Sequence, residues 1–554
     1  MPRRACPMWR SGDCAARPWT GAMEMETETA QDAPASAAPG LAQWLGARVA
    51  ALRYEDLPAQ ALHWARVGIL DTVGVTLGGS GEAAAVLACQ ALGGAAGPAL
   101  RLGTRQRLGA LDAALVNGTA AHALDFDDSS NTMGGHPSAP LVSALLPLAE
   151  QMNSSGRDFV TAYAAGFEVQ TKLGLAVNLH HYRKGWHPTA TLGGFGAAAA
   201  CARLMGLDGA ATATALALAA SFASGLKANF GTMAKPLHVG HCARNGLYAA
   251  RLAQLGYTAN GAAVFEHTQG FLDVFNGPGT YAVDKAMAAW AAPYDLVEPG
   301  IAVKQYACCG STHPAIDAML ALVREHRPAA GDVERIDVAI HSRRLAHTNR
   351  PQPRSALDAK FSLQYVLARA LVDGRVAPGD FEDPAWRDPR VAAVLARVRA
   401  VAYDDADVPA ERFGFSSLAG RRDFACGVAD ARGAAAGSAA AGAARAEVAG
   451  AEVAGAGASR SAADAAPANH FAGHVALTLR DGRVLRASVA QPLGRTSAHP
   501  LPADLLRQKF LQCAGMVLRE DALDGIANDL AAIDALPRIA TLTRRIEEAV
   551  RGGD

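Results

Sequence analysis

Residues 122–138, His-Ala-Leu-Asp-Phe-Asp-Asp-Ser-Ser-Asn-Thr-Met-Gly-Gly-His-Pro-Ser, form the densest polar cluster of an otherwise Ala- and Leu-rich region. Asp125, Asp127 and Asp128 crowd three carboxylates into four positions, and like charges so close repel unless a cation or a proton sits beside them. A helix-ending loop facing a pocket supplies such a setting. Met133-Gly134-Gly135 breaks the helix and His136-Pro137-Ser138 restarts one, with Pro fixing the entry and Ser138 offering a cap. Asp125, Ser129 and His136 are thereby expected to converge at one junction. An isolated acidic triplet is more often a solvated helix end, but four further clusters shift the balance.

Gly185-Trp-His-Pro-Thr189 places His187 at a helix entrance, where a neutral imidazole can act as base or donor. In the stretch from Lys235 to Asn245, Lys235 and Arg244 lie around the start of another helix, and the helix dipole with a cation makes an anion site. His238 and His241 form an H-x-x-H pair there, but no third ligand follows at a recognisable spacing, so no metal site is expected. Lys304 opens Lys-Gln-Tyr-Ala-Cys-Cys-Gly-Ser-Thr-His-Pro314, in which Thr312-His313-Pro314 starts a helix. Adjacent Cys308 and Cys309 lack ligand spacing and read as buried small residues. Lys360-Phe-Ser-Leu-Gln-Tyr365 begins one more helix. Tyr365 taken alone is a core residue with a satisfied hydroxyl, and its company draws it toward function. Ser129, His238, Arg244, Thr312 and His313 complete the set as candidate substrate contacts. This inventory suits a small polycarboxylate: Lys and Arg hold carboxylates, His or Asp removes a proton beside one, and a protonated partner assists a leaving hydroxyl.

Helical periodicity carries these residues from Leu41 through the first 300 positions, with patterns at 41–52, 59–77, 83–92, 109–125, 138–151, 157–178, 190–205, 209–225, 239–256 and 260–265. No strand is predicted before residue 300. Beyond it, 332–342 alternates as a half-buried strand, helices follow at 357–372 and 388–399, a strand at 399–403, and Asp481-Gly482 turns a hairpin over 473–489. The predicted architecture is mainly α. Residues 1–40 are a disordered extension without a secretory h-region, 41–297 an all-helical domain, 298–496 an α+β domain, and 497–554 helices that return to the first domain. Residues 430–469, almost all Ala, Gly, Ser and scattered charges, read as a low-complexity insertion.

Lys plus Arg equals Asp plus Glu at 52 each, which gives no support for nucleic acid or an anionic membrane as partner. Nine scattered cysteines without a C-x-x-C pair fit reduced thiols and a cytoplasmic setting, and no apolar run has the length and purity of a membrane span. Asp127-Asp128-Ser-Ser-Asn131 matches the first magnesium motif of helical terpene synthases, but the second motif is missing.

H-A-L-D-F-D-D with H-P-S, G-W-H-P-T, K-P-L-H-x-G, K-x-Y-x-C-C-G-S-T-H-P and K-F-S-x-x-Y, in this order, resemble the MmgE/PrpD family of 2-methylcitrate dehydratases, cis-aconitate decarboxylases and iminodisuccinate epimerases. The resemblance implies a large all-helical domain built from both ends of the chain, a smaller α+β lid, a homodimer, and a metal-free, cofactor-independent pocket between domains. In the decarboxylase branch the pocket positions match Asp125, His136, His187, Lys235, Lys304 and Tyr365, with Ser129 in place of a Thr. The implied activity is that of a lyase, with dehydration of a citrate-like acid first and decarboxylation of an aconitate-like acid beside it. Lys235 and Lys304 would bind carboxylates, His187 and Asp125 handle protons, and His136 and Tyr365 orient or protonate. An epimerase of an amino- or imino-dicarboxylate and a non-catalytic carboxylate-binding protein are the alternatives.

Overall fold

Ala and Gly dominate the facing surfaces of the first helices, and small side chains let backbones approach closely. The Ala110–Ala123 and Ala234–Gln254 helices touch at Gly118 and Gly240, where a Cβ on Gly240 would stand 2.1 Å from the Leu115 carbonyl oxygen. A computed structural model describes residues 38–404, 425–429 and 471–552. Residues 1–37 and the 430–469 insertion, on which two of the sequence expectations fall, lie outside the described residues.

The fold is mainly α. Long helices at Ala59–Gly79, Ala110–Ala123, Ser138–Met152, Gly156–Val177, Gly193–Leu204, Gly209–Phe222 and Ala234–Gln254 bury Ile69, Leu145, Phe159, Tyr163, Phe167 and Phe195 in one apolar cluster. Helices Ala503–Ala514, Glu520–Ala531 and Ile539–Ala549 insert Phe510, Ile526, Leu530, Leu542 and Ile546 into that same cluster. The buried Lys509–Asp71 ion pair, 2.6 Å, ties the Ala503–Ala514 helix to Ala59–Gly79. Among the described residues no single helix is long and apolar enough to cross a membrane.

The first 300 residues are not wholly helical. Strands β1 (Ala96–Leu100) and β2 (Arg107–Leu108) pair antiparallel. They are too short to alternate, and Gly97-Pro98 mimics a loop; Glu150 Oε2 secures the hairpin by accepting from the Leu100 amide at 2.8 Å. The helix expected at 260–265 is a series of turns, and that expected at 190–205 breaks into Pro188–Thr191 and Gly193–Leu204.

A second apolar cluster lies around a five-stranded sheet of β3 (Val333–His341), β4 (Val398–Tyr403), β5 (Ala425–Ala429), β6 (Gly473–Leu479) and β7 (Val484–Val489). Its order is β4-β3-β6-β7-β5, with β3 and β4 parallel and the other neighbours antiparallel. Helices His313–His326 and Leu363–Asp373 cover it through Ile316, Met319, Leu363 and Leu367. Strand β3 is buried on both faces rather than one, because it lies inside the sheet between β4 and β6 and His341, Tyr403 and His474 pack edge to face on the side away from Ile336 and Val338.

Tyr365 belongs to this second core. Its hydroxyl donates to the Asp380 carbonyl and accepts from Arg369 Nη2 at 3.0 Å, and the side chain is fully buried. It does not line the cavity described below, contrary to the expectation from the motif. Its place, the third residue of Leu363–Asp373, points it inward with Val366.

Candidate active site

Three crowded carboxylates keep their places by facing three different sets of partners. The Ala110–Ala123 helix ends at Leu124, and Asp125 takes φ +53°, the left-handed position that usually closes a helix as Gly. Its carboxylate meets Lys235 Nζ at 2.5 Å and Lys304 Nζ at 3.2 Å. Asp127 lies 2.8 Å from His122 Nδ1 and 3.2 Å from His136 Nδ1. Asp128 accepts from the Ser138 amide at 3.2 Å and from its hydroxyl at 2.5 Å, so Asp128 caps the next helix and Ser138 is its first residue.

Lysines also hold the carbonyls that the helix end leaves without partners. Lys360 Nζ donates to Leu124 O at 3.0 Å, Lys304 Nζ to Asp125 O at 2.7 Å, and Lys509 Nζ to Phe126 O at 2.7 Å. All three lysines are buried. The loop carrying Asp125 is thus fixed from three separate parts of the chain.

Electrostatics follows from this packing. Burial raises the Asp125 carboxyl, but Lys235 and Lys304 outweigh it and hold the group far below the usual carboxylate range. Burial pulls Lys304 down, and Asp125 and Asp127 more than restore it. Burial lowers His122 to about 3 against the attraction of Asp127, so His122 is neutral and its Nδ1–H donates to the Asp127 carboxylate. Burial, with His122 and Lys235 nearby, keeps His187 neutral as well. Burial and the neighbouring Asp71 raise Asp128.

The chain places Asp125, Ser129, His136, His187, Lys235 and Lys304 around one cavity of about 910 Å³. Lys235 projects from the first turn of Ala234–Gln254. His187 precedes Pro188–Thr191, with Nδ1 3.2 Å from His238 Nδ1 and its ring edge-to-face with Phe230 at 4.9 Å. His238 stands behind His187. Three other expected contacts lie elsewhere. Arg244 sits in mid-helix, nine residues past Lys235, away from the lining. Thr312 caps His313–His326 and donates to Cys309 O at 2.8 Å, while His313 Nε2 faces Cys308 O at 3.3 Å. Both brace the 308–313 turn.

Further lining residues went unread in the sequence: Arg343, Arg344, His347, Phe471 and Arg495. Arg343-Arg344 directly after a strand resembles any solvated charge pair, and Arg495 falls in a segment without periodicity. Cys309 departs from its reading as a buried small residue, because it faces the cavity; burial raises its thiol, but a hydrogen bond with His347 brings it down to about 6. Cys308 is buried and pushed up to about 12. Ligand atoms of His122, Asp127 and His136 fall within 4.8 Å of one another, a geometry that the approach of both imidazoles to one shared carboxylate already explains.

Residues 42–284 match the MmgE/PrpD N-terminal domain and residues 306–416 the MmgE/PrpD C-terminal domain. A cis-aconitate decarboxylase from Aspergillus terreus strain NIH 2624 is 30% identical over 382 residues, which cover 64% of this chain and 76% of that protein. The chain belongs to the MmgE/PrpD family. Human cis-aconitate decarboxylase is 34% identical over 295 residues, 52% of this chain and 60% of the human protein. The chain thus aligns with about 60% of that relative's length. The 2-methylcitrate dehydratase of Salmonella typhimurium is 24% identical over 381 residues, 64% of this chain and 76% of that protein. For an MmgE/PrpD chain, the motif residues at 125, 136, 187, 235 and 304 share a cavity whereas Tyr365 stands apart from it.

Proposed function

We propose that this protein is a lyase acting on a small polycarboxylate by proton transfer next to a carboxylate, with decarboxylation of a cis-aconitate-like acid as the reaction and dehydration of a 2-methylcitrate-like acid as the second reading. One observation carries the substrate class. Among the described residues lining the cavity there are eight lysines and arginines and one carboxylate, Asp125, which is already paired with two buried lysines. Such a surplus of positive charge in a partly enclosed site attracts a polyanion. The higher identity to cis-aconitate decarboxylases than to 2-methylcitrate dehydratases favours loss of carbon dioxide over loss of water, reversing the order suggested by the motifs alone.

The geometry supports the following roles. Asp125, held as an anion by Lys235 and Lys304, is a poor base; it fixes the two ammonium groups that face the substrate carboxylate and stabilise enolate-like charge. His136 Nδ1 faces the Asp127 carboxylate at 3.2 Å, which leaves Nε2 to take or return a proton at the reacting carbon. In decarboxylation the carbon–carboxylate bond breaks, its electron pair spreads toward a remaining carboxylate, and a proton returns to carbon. His187, neutral and buried, serves as the partner donor or acceptor.

Proton NMR of the protein with cis-aconitate, citrate, 2-methylcitrate and iminodisuccinate in deuterated buffer tests this, with Lys304→Ala as control. Carbon dioxide release with deuterium incorporation from cis-aconitate, lost in Lys304→Ala, is the expected result. Water loss from 2-methylcitrate alone would select the second reading. Bare exchange on iminodisuccinate, or silence on every acid, would overturn the lyase assignment.

A further inference from the structure

Guanidiniums set into a protein wall are ordinarily matched by carboxylates, and two half-buried ones at the cavity wall are not. Arg344, in the Ser342–Thr348 helix, and Arg495 lie against the same ring, with Cζ atoms 3.9 Å and 3.8 Å from the Phe471 centroid. Arg495 donates to Ser129 Oγ at 3.3 Å and to Asn131 Oδ1, both neutral, and its Nε is buried without a partner. Neither arginine has an ion pair among the described residues, and Arg344 lies near enough to Arg495 to disfavour its charge. Both line the cavity that holds Asp125, Lys235 and Lys304.

Resting on the polycarboxylate reading above, we infer that Arg344 and Arg495 form a second carboxylate clamp, which takes a carboxylate of the substrate other than the one held at Lys235 and Lys304. Planar forks suit this role, since a guanidinium binds a carboxylate through two parallel hydrogen bonds and stacks on an aromatic face at the same time. Ser129 and Asn131 hold Arg495 in place, and they belong to the loop that carries Asp125, so one loop sets both poles. The clamp makes the cavity selective for acids with at least two carboxylates, and Phe471 restricts its plane.

Isothermal titration of the whole chain with tricarballylate, with butyrate and with inorganic phosphate provides the test, because none of these can react. The wild type is expected to bind tricarballylate and to bind butyrate far more weakly. Arg344→Gln and Arg495→Lys should each weaken tricarballylate by roughly 10- to 100-fold, the loss typical of hydrogen bonds to a charged group, while butyrate changes less than about twofold. Unchanged tricarballylate affinity in Arg344→Gln, which removes no hydrogen bond from the fold, would overturn the clamp and leave the lyase reading intact. Failure of the wild type to bind tricarballylate would instead remove the polycarboxylate reading and the clamp with it. Phosphate binding more tightly than tricarballylate would overturn the assignment of carboxylate as the ligand. If Arg495→Lys does not fold, Arg344→Gln decides alone.

Discussion

Replacing Asp125 by Asn removes one negative charge from between two buried ammonium groups and leaves the backbone almost untouched, since Asn also tolerates the left-handed conformation found at φ +53°. At an effective dielectric constant of about 20, a unit pair at the 3.2 Å separating Lys304 from Asp125 is attracted by about 5 kcal/mol. Breaking a buried pair from one side costs about 3–5 kcal/mol once relaxation is included. The variant can recover part of that by releasing a proton. A loss of that size from one lysine brings its folded-state pKa well below the ordinary lysine value. A lysine depressed in the folded state carries its full penalty below that folded value and sheds it as pH rises toward the unfolded value. The wild-type lysine, raised in the folded state, changes little in this window. Urea unfolding of both proteins at pH 7.5 and 9.5 should therefore show a deficit of about 3–5 kcal/mol in Asp125→Asn at the lower pH, of which about 2 kcal/mol is regained at the higher. Equal midpoints at pH 7.5, or a deficit that does not change with pH, would refute the two-lysine account of Asp125.

Asp127→Asn should lower kcat by about 100-fold with little change in KM, because the amide no longer fixes the His136 tautomer; steady-state kinetics on the NMR-identified substrate reads the split. Tyr365→Phe should leave turnover within about twofold of wild type and lower stability by about 1–3 kcal/mol, since it deletes the hydroxyl between the Asp380 carbonyl and Arg369; parallel activity and thermal unfolding measurements separate the two. His181, lowered to about 4 chiefly by burial, cannot take up the proton that the unfolded chain binds below about pH 6.5. Stability falls through that window as pH drops, and His181→Gln should flatten the fall by about 1.4 kcal/mol per pH unit, measured as denaturation midpoints between pH 6.5 and 4.5.

Helical periodicity and the order of five motifs made the mainly α fold and six of the cavity residues legible, because long apolar patterns and clustered titratable residues are local signals. What escaped was non-local. Tyr365 carries the motif yet turns into the core, since helix register alone cannot say which side a cavity lies on. Arg344 and Arg495 are separated by 151 positions of sequence and meet across the Phe471 ring. Strands β1 and β2 were invisible because they are too short to alternate and Gly97-Pro98 reads as a loop, while the Glu150 carboxylate that secures them lies some fifty residues downstream. The acidic triplet gave the right question, how three carboxylates coexist; the histidines of the answer stand in the same stretch, but its two lysines are brought from other elements.

The ring of lysines around residues 124–126 bears on how the chain assembles. Lys304, Lys360 and Lys509 reach those carbonyls across sequence separations of 179, 236 and 383 residues. Contacts so distant along the chain close late, after local helices have formed. During synthesis the Asp125 loop emerges long before Lys509, so a nascent chain can build most of its helices while the loop still lacks its last anchor. The competent cavity is therefore a product of chain completion, and its appearance should lag behind helix content in refolding.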